Sequence, residues 1–253
     1  MFKGVLIDLG GVVYIGDGPL PGAVEAIDRL HRACVPIRYL TNTTRTSHRE
    51  LLGKIRAMGL QVSREELLTP ALAARRHIEA KGLTPQLLIH PGLAEDFAGL
   101  PPGQGEALVV GDAGDAFSYA AMNEAFRSLD CGAEFLALAN NRSFRDADDA
   151  LSLDAGPFVA ALAFASRRDP LVLGKPAKES FNSALASIGC TASEAAMIGD
   201  DAENDVGGGM AAGLTGILVR TGKYRPGDEA TIDPQPDCVA DDLAAAVDWL
   251  LER

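Results

Sequence analysis

Short apolar runs of strand length recur along this chain, and segments of helical period lie between them. GVLIDLG (4–10) and VPIRYLTN (35–42) read as strands, with GAVEAIDRLHRAC (22–34) between them as a helix. PLVLGKP (170–176), AAMIGD (195–200) and TGILVRTG (215–222) repeat the strand pattern. KESFNSALASIG, AENDVGGGMAAG and DDLAAAVDWLLER read as helices. Strands that are apolar along their whole length, rather than at alternate positions, are buried on both faces. That requires a parallel sheet with helices on each side, an α/β fold of the doubly wound, Rossmann-like kind.

Helix start signals support the pattern. Ser47 and Glu50 have capping-box spacing ahead of a helix over 47–59, with Gly59 past its end. Ser63 and Glu66 repeat that signal, so SREELL is expected to open a second helix. The middle of the chain carries its own alternating set: QLLIH, ALVVGD, SYAAMNEAFRSL, EFLALAN and GPFVAALAFASR, with Pro70 and Pro170 near its edges. It is expected to be a second α/β domain over 71–170, inserted into a core domain formed by 1–70 and 171–253.

The 253 residues are 47% hydrophobic and 23% charged, enough to bury a core. A net charge of −12 without a basic stripe argues against nucleic acid and against an anionic membrane surface. Cys34, Cys131, Cys190 and Cys238 are far apart and form no CxxC pair, as in a reduced cytoplasmic protein. The apolar run of MFKGVLIDLG is short and contains an aspartate, unlike a signal peptide. The apolar stretch around GPFVAALAFA is too short to span a bilayer.

Ligands of open parallel sheets bind outside the carboxyl ends of the strands. Four predicted strand ends of the core carry polar groups: Asp8, then Thr41 and Asn42, then Lys175, then Asp200 with Asp205. A strand-end carboxylate such as Asp8 can attack phosphorus, and the following glycines let backbone N–H groups face phosphate oxygens. Taken alone, Asp8 reads better as a turn cap, Thr41 and Asn42 as polar loop, and Lys175 as a solvated lysine; it is their joint order that argues otherwise. In MIGDDAENDVGG, Asp200, Asp201 and Asp205 repel one another unless a cation or a base sits among them, and Mg²⁺ suits hard oxygen ligands. Helix capping explains one of these three aspartates well and the set poorly. Gly207, Gly208 and Gly209 weaken a helix and point to close backbone approach.

Aspartate at the first strand, Thr-Asn at the second, Gly-Lys-Pro after a large insert and GDxxxxD at the next strand together resemble the haloacid dehalogenase-like hydrolase superfamily. The insert is similar to the type IIA cap of that superfamily. The likeness extends through MNEAFR, GPFVAAL and GILVRTGKYRPGDE, and so over nearly the whole chain. It implies a Mg²⁺-dependent phosphatase. Asp8 would be nucleophile and metal ligand, Gly10 would lend its carbonyl to the metal, and Asp200 and Asp205 would complete the metal site. Leu9, Gly10, Gly11, Thr41, Asn42 and Lys175 would hold the phosphate. The cap would close over the site and select a small phosphorylated substrate or phosphorylated side chain, and it would carry a homodimer contact.

At position 10 the chain departs from the pattern. The usual phosphatase motif has a second aspartate there as general acid and base, and this chain has Gly10. Positioned acid–base groups contribute roughly 10²–10⁴-fold. An alkoxide leaving group needs a proton; phosphate, an aryl oxide or a phosphoramidate nitrogen manages without that side chain. Activity is therefore expected on pyrophosphate, phosphoramidates and aryl phosphates. Asp17 in the following GDG loop is a candidate replacement base. A degenerate member that binds a phosphorylated ligand without turnover is the alternative reading. A receiver-like signalling domain fits poorly with an insert of about a hundred residues, itself the size of a domain.

Overall fold

A computed structural model describes residues 2–145 and 150–253. The first part of the chain gives strand β1 (Gly4–Asp8), a tight hairpin of β2 (Tyr14–Ile15) and β3 (Gly18–Pro19), helix α1 (Ala23–Arg32), β4 (Ile37–Leu40), α2 (His48–Ala57) and β5 (Leu67–Leu68). There follow α3 (Pro70–Lys81), β6 (Leu83–Leu88), β7 (Gly105–Val110), α4 (Tyr119–Asp130), β8 (Glu134–Ala137), β9 (Ser143–Arg145), β10 (Leu151–Leu153), α5 (Ala155–Ser166) and β11 (Leu171–Val172). The last part is α6 (Lys178–Ile188), β12 (Ala195–Gly199), α7 (Gly208–Ala211), β13 (Thr215–Val219), β14 (Cys238–Ala240) and α8 (Leu243–Leu251). Contacts divide the chain into two units. The first holds Met1–Thr41, Leu51–Leu68 and Lys175–Arg253, and the second Asn42–Glu50 and Thr69–Gly174.

The first unit is built on a six-stranded parallel sheet of order β14-β13-β12-β1-β4-β5. All five residues of β1 are buried, because the strand is covered on both faces. Val5 and Ile7 enter a core with Ile37, Tyr39, Ala196 and Ile198, closed by α1, α2 and α8. Leu6 turns the other way, to Leu40, Met197 and Phe181 of α6. The period-2 alternation of a strand thus feeds two apolar layers. Later strands add on both sides of β1, so the sheet has its topological switch point at the β1–β12 pair, where Ile7 lies opposite Ile198.

The second unit has a four-stranded parallel sheet of order β11-β8-β7-β6. One face packs on α3 through Ala71, Ala74 and Ile78, the other on α4 and α5 through Leu129, Val159 and Leu162. A short antiparallel pair of β9 and β10 stands apart from that sheet.

Three expectations about elements are corrected. PLVLGKP contains a strand, but β11 pairs with β8 in the second unit's sheet and not in the core sheet. A two-residue apolar strand carries no information about which sheet it joins. SREELL forms a turn. Glu66 accepts from the Ser63 N–H at 2.7 Å, yet the next element is β5 and the helix starts at Pro70, capped by Thr69. Third, AENDVGGGMAAG is a π-helical turn (Ala202–Gly207) running into the four-residue α7. A Cβ on Gly208 would meet Pro176 and Phe181, and one on Gly209 would meet Met197, which is the close approach the glycines indicated. The signal at α2 held in its Ser47 half: the Glu50 N–H donates to the Ser47 hydroxyl at 3.2 Å, and Gly59 follows the helix at φ +92°.

Phe181 is fully buried and Phe164 is 90% exposed, so truncation separates them. Phe181→Ala is expected to cost about 3–5 kcal/mol, and Phe164→Ala less than about 0.5 kcal/mol, in equilibrium urea unfolding.

Candidate active site

β1 ends on Asp8, and β12 beside it ends at Gly199, so Asp200 follows directly at the switch point. The π-helical turn after β12 brings Asp205 back beside that strand end. A Cβ on Gly199 would strike the Asp205 side chain, so only glycine admits the carboxylate there. Carboxylate oxygens of Asp8, Asp200 and Asp205 all lie within 4.8 Å of one another, and all three residues are buried.

Lys175 enters the same group from the loop after β11. Its ammonium forms an ion pair with Asp8, a second with Asp205 at 2.7 Å, and donates to the Leu40 carbonyl at 3.2 Å. Burial alone would push the Lys175 ammonium down. The facing Asp205 and Asp8 carboxylates outweigh it and hold the pKa above that of a free lysine. Asp200 is pushed up to about 7 by burial, then by the charges of Asp8 and Asp205. Asp205 also moves up, because burial and the charges of Asp8 and Asp201 exceed what Lys175 returns. The charged ammonium pairs with Asp8 and Asp205, and Asp200 lies beside them outside that pairing.

This donor set fits a divalent cation. Three carboxylates and one ammonium leave a formal charge of −2 for the cation to balance. Asp200 Oδ1 is buried without a hydrogen-bond partner, a state that costs about 1–3 kcal/mol or more unless a ligand takes it. Asp200 Oδ2 is occupied by the Lys223 N–H at 2.7 Å.

The remaining predicted residues fall as follows. Leu9 turns its side chain into the core, and its carbonyl accepts from the N–H of Val13 at 2.9 Å. Gly10 is exposed, and a Cβ there would meet nothing within 4 Å. Gly11, at φ +89°, lies against Asp200 Oδ2 with no room for a Cβ. Thr41 is buried at the end of β4. Asn42 begins the second unit, and there its Oδ1 lies close to Gly174. Asp201 is the helix cap: its carboxylate accepts from the Asn204 backbone and side chain, both at 2.9 Å, and from Lys223 Nζ at 3.3 Å. The candidate base Asp17 is 99% exposed on its hairpin and pairs with Lys54 at 3.0 Å, so the carboxylate group around Asp8 does not include it.

Sequence reasoning gave no role to Thr221, Gly222 and Lys223. Thr221 donates its hydroxyl to the Gly11 carbonyl at 2.5 Å, tying the loop after β13 to the loop after β1. The signal was available, since TGK follows an apolar strand just as Asp8 and Asp200 do.

A carboxylic acid whose pKa rises on folding binds its proton more tightly in the folded state. Between pH 4 and 7 the folded chain therefore holds more protons at Asp200 than the unfolded chain, and stability without metal falls as pH rises through that window. A divalent cation binds the ionised form and removes the penalty. Thermal melts in EDTA are expected to fall between pH 5.5 and pH 8, and the rise on adding Mg²⁺ is expected to be larger at pH 8. A Mg²⁺ shift independent of pH would contradict this.

The sequence profile of the haloacid dehalogenase-like hydrolase family matches residues 5–124, and a second profile, HAD-hydrolase-like, matches residues 172–246. Human haloacid dehalogenase-like hydrolase domain-containing protein 2 is 42% identical over 251 residues, 99% of this chain and 96% of the relative. Human phospholysine phosphohistidine inorganic pyrophosphate phosphatase is 40% identical over 257 residues, 99% of this chain and 95% of the relative. Among solved structures, the p-nitrophenyl phosphatase from Archaeoglobus fulgidus superposes with a TM-score of 0.88 at 27% identity, covering 98% of this chain and 99% of that one. With relatives of this identity matched along almost their full length, the chain belongs to the haloacid dehalogenase-like hydrolases.

Proposed function

We propose that this hydrolase is a Mg²⁺-dependent phosphatase that works through an aspartyl phosphate on Asp8 and acts on activated phosphates. The observation that carries the reading is the convergence of Asp8, Asp200 and Asp205 around Lys175 at the switch point of the sheet. The named substrates of two relatives, phospholysine, phosphohistidine and pyrophosphate in one and p-nitrophenyl phosphate in the other, are of the same chemical kind. In this reading residues 71–170 act as the inserted cap over a core of 1–70 and 171–253.

An Asp8 oxygen forms a bond to phosphorus while the bond to the leaving group breaks, and the leaving group keeps the electron pair. Lys175 pairs with Asp8 and holds it in place, and its charge faces the oxygens of the incoming phosphoryl group. Backbone N–H groups of Leu9, Gly10 and Gly11, with Thr41 and Asn42, bind those oxygens. Asp8, the Gly10 carbonyl, Asp200 and Asp205 would hold Mg²⁺, which would supply the charge balance for an anionic nucleophile meeting an anionic phosphate. Water then cleaves the acyl phosphate, which releases phosphate and restores Asp8.

The bias toward activated phosphates comes from Gly10. Without a carboxyl at this position, the leaving group takes its proton from solvent. Phosphate, aryl oxides and the nitrogen of a phosphoramidate leave under those conditions, and an alkoxide does not. The open space at Gly10 also motivates the second reading, a binding protein whose turnover has been lost.

Self-association through the second unit and a reducing, cytoplasmic setting belong to the same proposal. Tyr119 and Phe164 of that unit are 85% and 90% exposed, and all four cysteines are free. Size-exclusion chromatography with light scattering reads the first directly.

Phosphate release is measured with Mg²⁺ on glycerol phosphate, p-nitrophenyl phosphate, pyrophosphate and phosphoimidazole, with Asp8→Asn as control. Turnover is expected on the last three and is lost in the control. Gly10→Asp is sterically free and is expected to raise kcat on glycerol phosphate by about 10²–10⁴-fold. No turnover above the control on any substrate, in either protein, would leave the binding reading.

A further inference from the structure

We propose that the Thr221–Lys223 turn is an ion-selecting clamp: it keeps one oxygen of Asp200 occupied, offers only the other to a metal, and so favours magnesium over calcium. The proposal rests on the reading of Asp8, Asp200 and Asp205 as a metal site.

The two oxygens of Asp200 have opposite surroundings. Oδ2 accepts from the Lys223 N–H at 2.7 Å, and two glycines from different loops press against it, Gly11 at φ +89° and Gly222 at φ +59°. A Cβ on either glycine would strike Oδ2. A Cβ on Gly11 would also come within 2.9 Å of Gly222 Cα, and one on Gly222 within 2.5 Å of Gly11 Cα. The Thr221 hydroxyl locks the two loops together through the Gly11 carbonyl at 2.5 Å. Oδ1, by contrast, is buried with no hydrogen-bond partner, in a residue whose carboxylate belongs to the three-aspartate group. A turn that served only to leave β13 would not need two left-handed glycines from separate loops against a single carboxylate oxygen.

The consequence follows from what the two cations accept. Mg²⁺ takes about six ligands in a near-ideal octahedron and keeps several waters, so a one-oxygen carboxylate suits it. Ca²⁺ takes about six to eight oxygens and readily uses both oxygens of one carboxylate. A clamp that removes Oδ2 from the available set withholds that option from calcium, while for magnesium it fixes the carboxylate so that Oδ1 is presented alone; loosening it costs magnesium that orientation and gives calcium the second oxygen in exchange. Thr221 and Gly222 are positioning residues, acting through Asp200.

The test is calorimetric titration of the full-length, metal-free chain with Mg²⁺ and separately with Ca²⁺, without substrate. It compares the wild type with Thr221→Val, Gly222→Ala and Asp200→Asn. Thr221→Val is expected to weaken Mg²⁺ about tenfold, the scale of one lost hydrogen bond, and to change Ca²⁺ by less than about threefold, so the preference narrows. Gly222→Ala is expected to narrow it further, and if that chain does not fold, Thr221→Val decides. Melting in EDTA confirms that each variant is folded at the titration temperature. Unchanged affinities in a folded Thr221→Val, or equal losses for both ions, would overturn the clamp and leave the metal site standing. A wild type that binds neither ion, like Asp200→Asn, would overturn the metal-site reading and the clamp with it.

Discussion

A single buried ammonium set against three buried carboxylates governs this site. Lys175 is matched by Asp8, Asp205 and the Leu40 carbonyl, so its three protons have acceptors. Asp200 is left outside that pairing, with one oxygen orphaned and its pKa near neutrality. Buried charges in such an imbalance are costly, and packing alone gives no reason to keep them. In the proposed function a divalent cation and an anionic phosphate would complete the set and offset that cost. The sheet order serves this arrangement: β1 and β12 are adjacent at the switch point, and both end in aspartate.

The loops around the site divide the labour between charge and backbone. Asp8, Asp200 and Asp205 supply charge, while Gly11, Gly199 and Gly222 supply space, each at a place where a Cβ would hit one of the carboxylates. Asp201, one residue from Asp200, is spent on capping and on Lys223. Gly10 differs from these glycines, because nothing crowds it. The packing around it therefore does not demand its small size, and in the proposed function the missing carboxyl is what restricts the leaving groups.

Much of this was legible in the sequence, for definite reasons. Asp8 and Asp200 interrupt runs that are otherwise apolar, and a buried strand leaves a carboxylate no role except at its end. Capping, the competing reading of the MIGDDAENDVGG stretch, accounts for Asp201 and not for Asp200 or Asp205. Lys175 was found by its motif, though the strand before it belongs to the other sheet, because two apolar residues do not encode a partner. The β2–β3 hairpin and β14 are two or three residues long and below the reach of periodicity. The Thr221–Lys223 turn follows an apolar strand as Asp8 and Asp200 do, but it carries no carboxylate, and its contacts depend on the Gly11 carbonyl, the Lys223 N–H and glycine geometry, which residue type alone does not announce.

The most direct test of the central claim is chemical trapping. Acid quench during turnover of ³²P-labelled pyrophosphate, followed by borohydride reduction and peptide mapping, reads which residue carries the phosphoryl group. The account predicts label in the peptide containing Asp8 before reduction, and conversion of Asp8 to homoserine by borohydride. Turnover with no labelled protein, or with label and reduction at another residue, would contradict it.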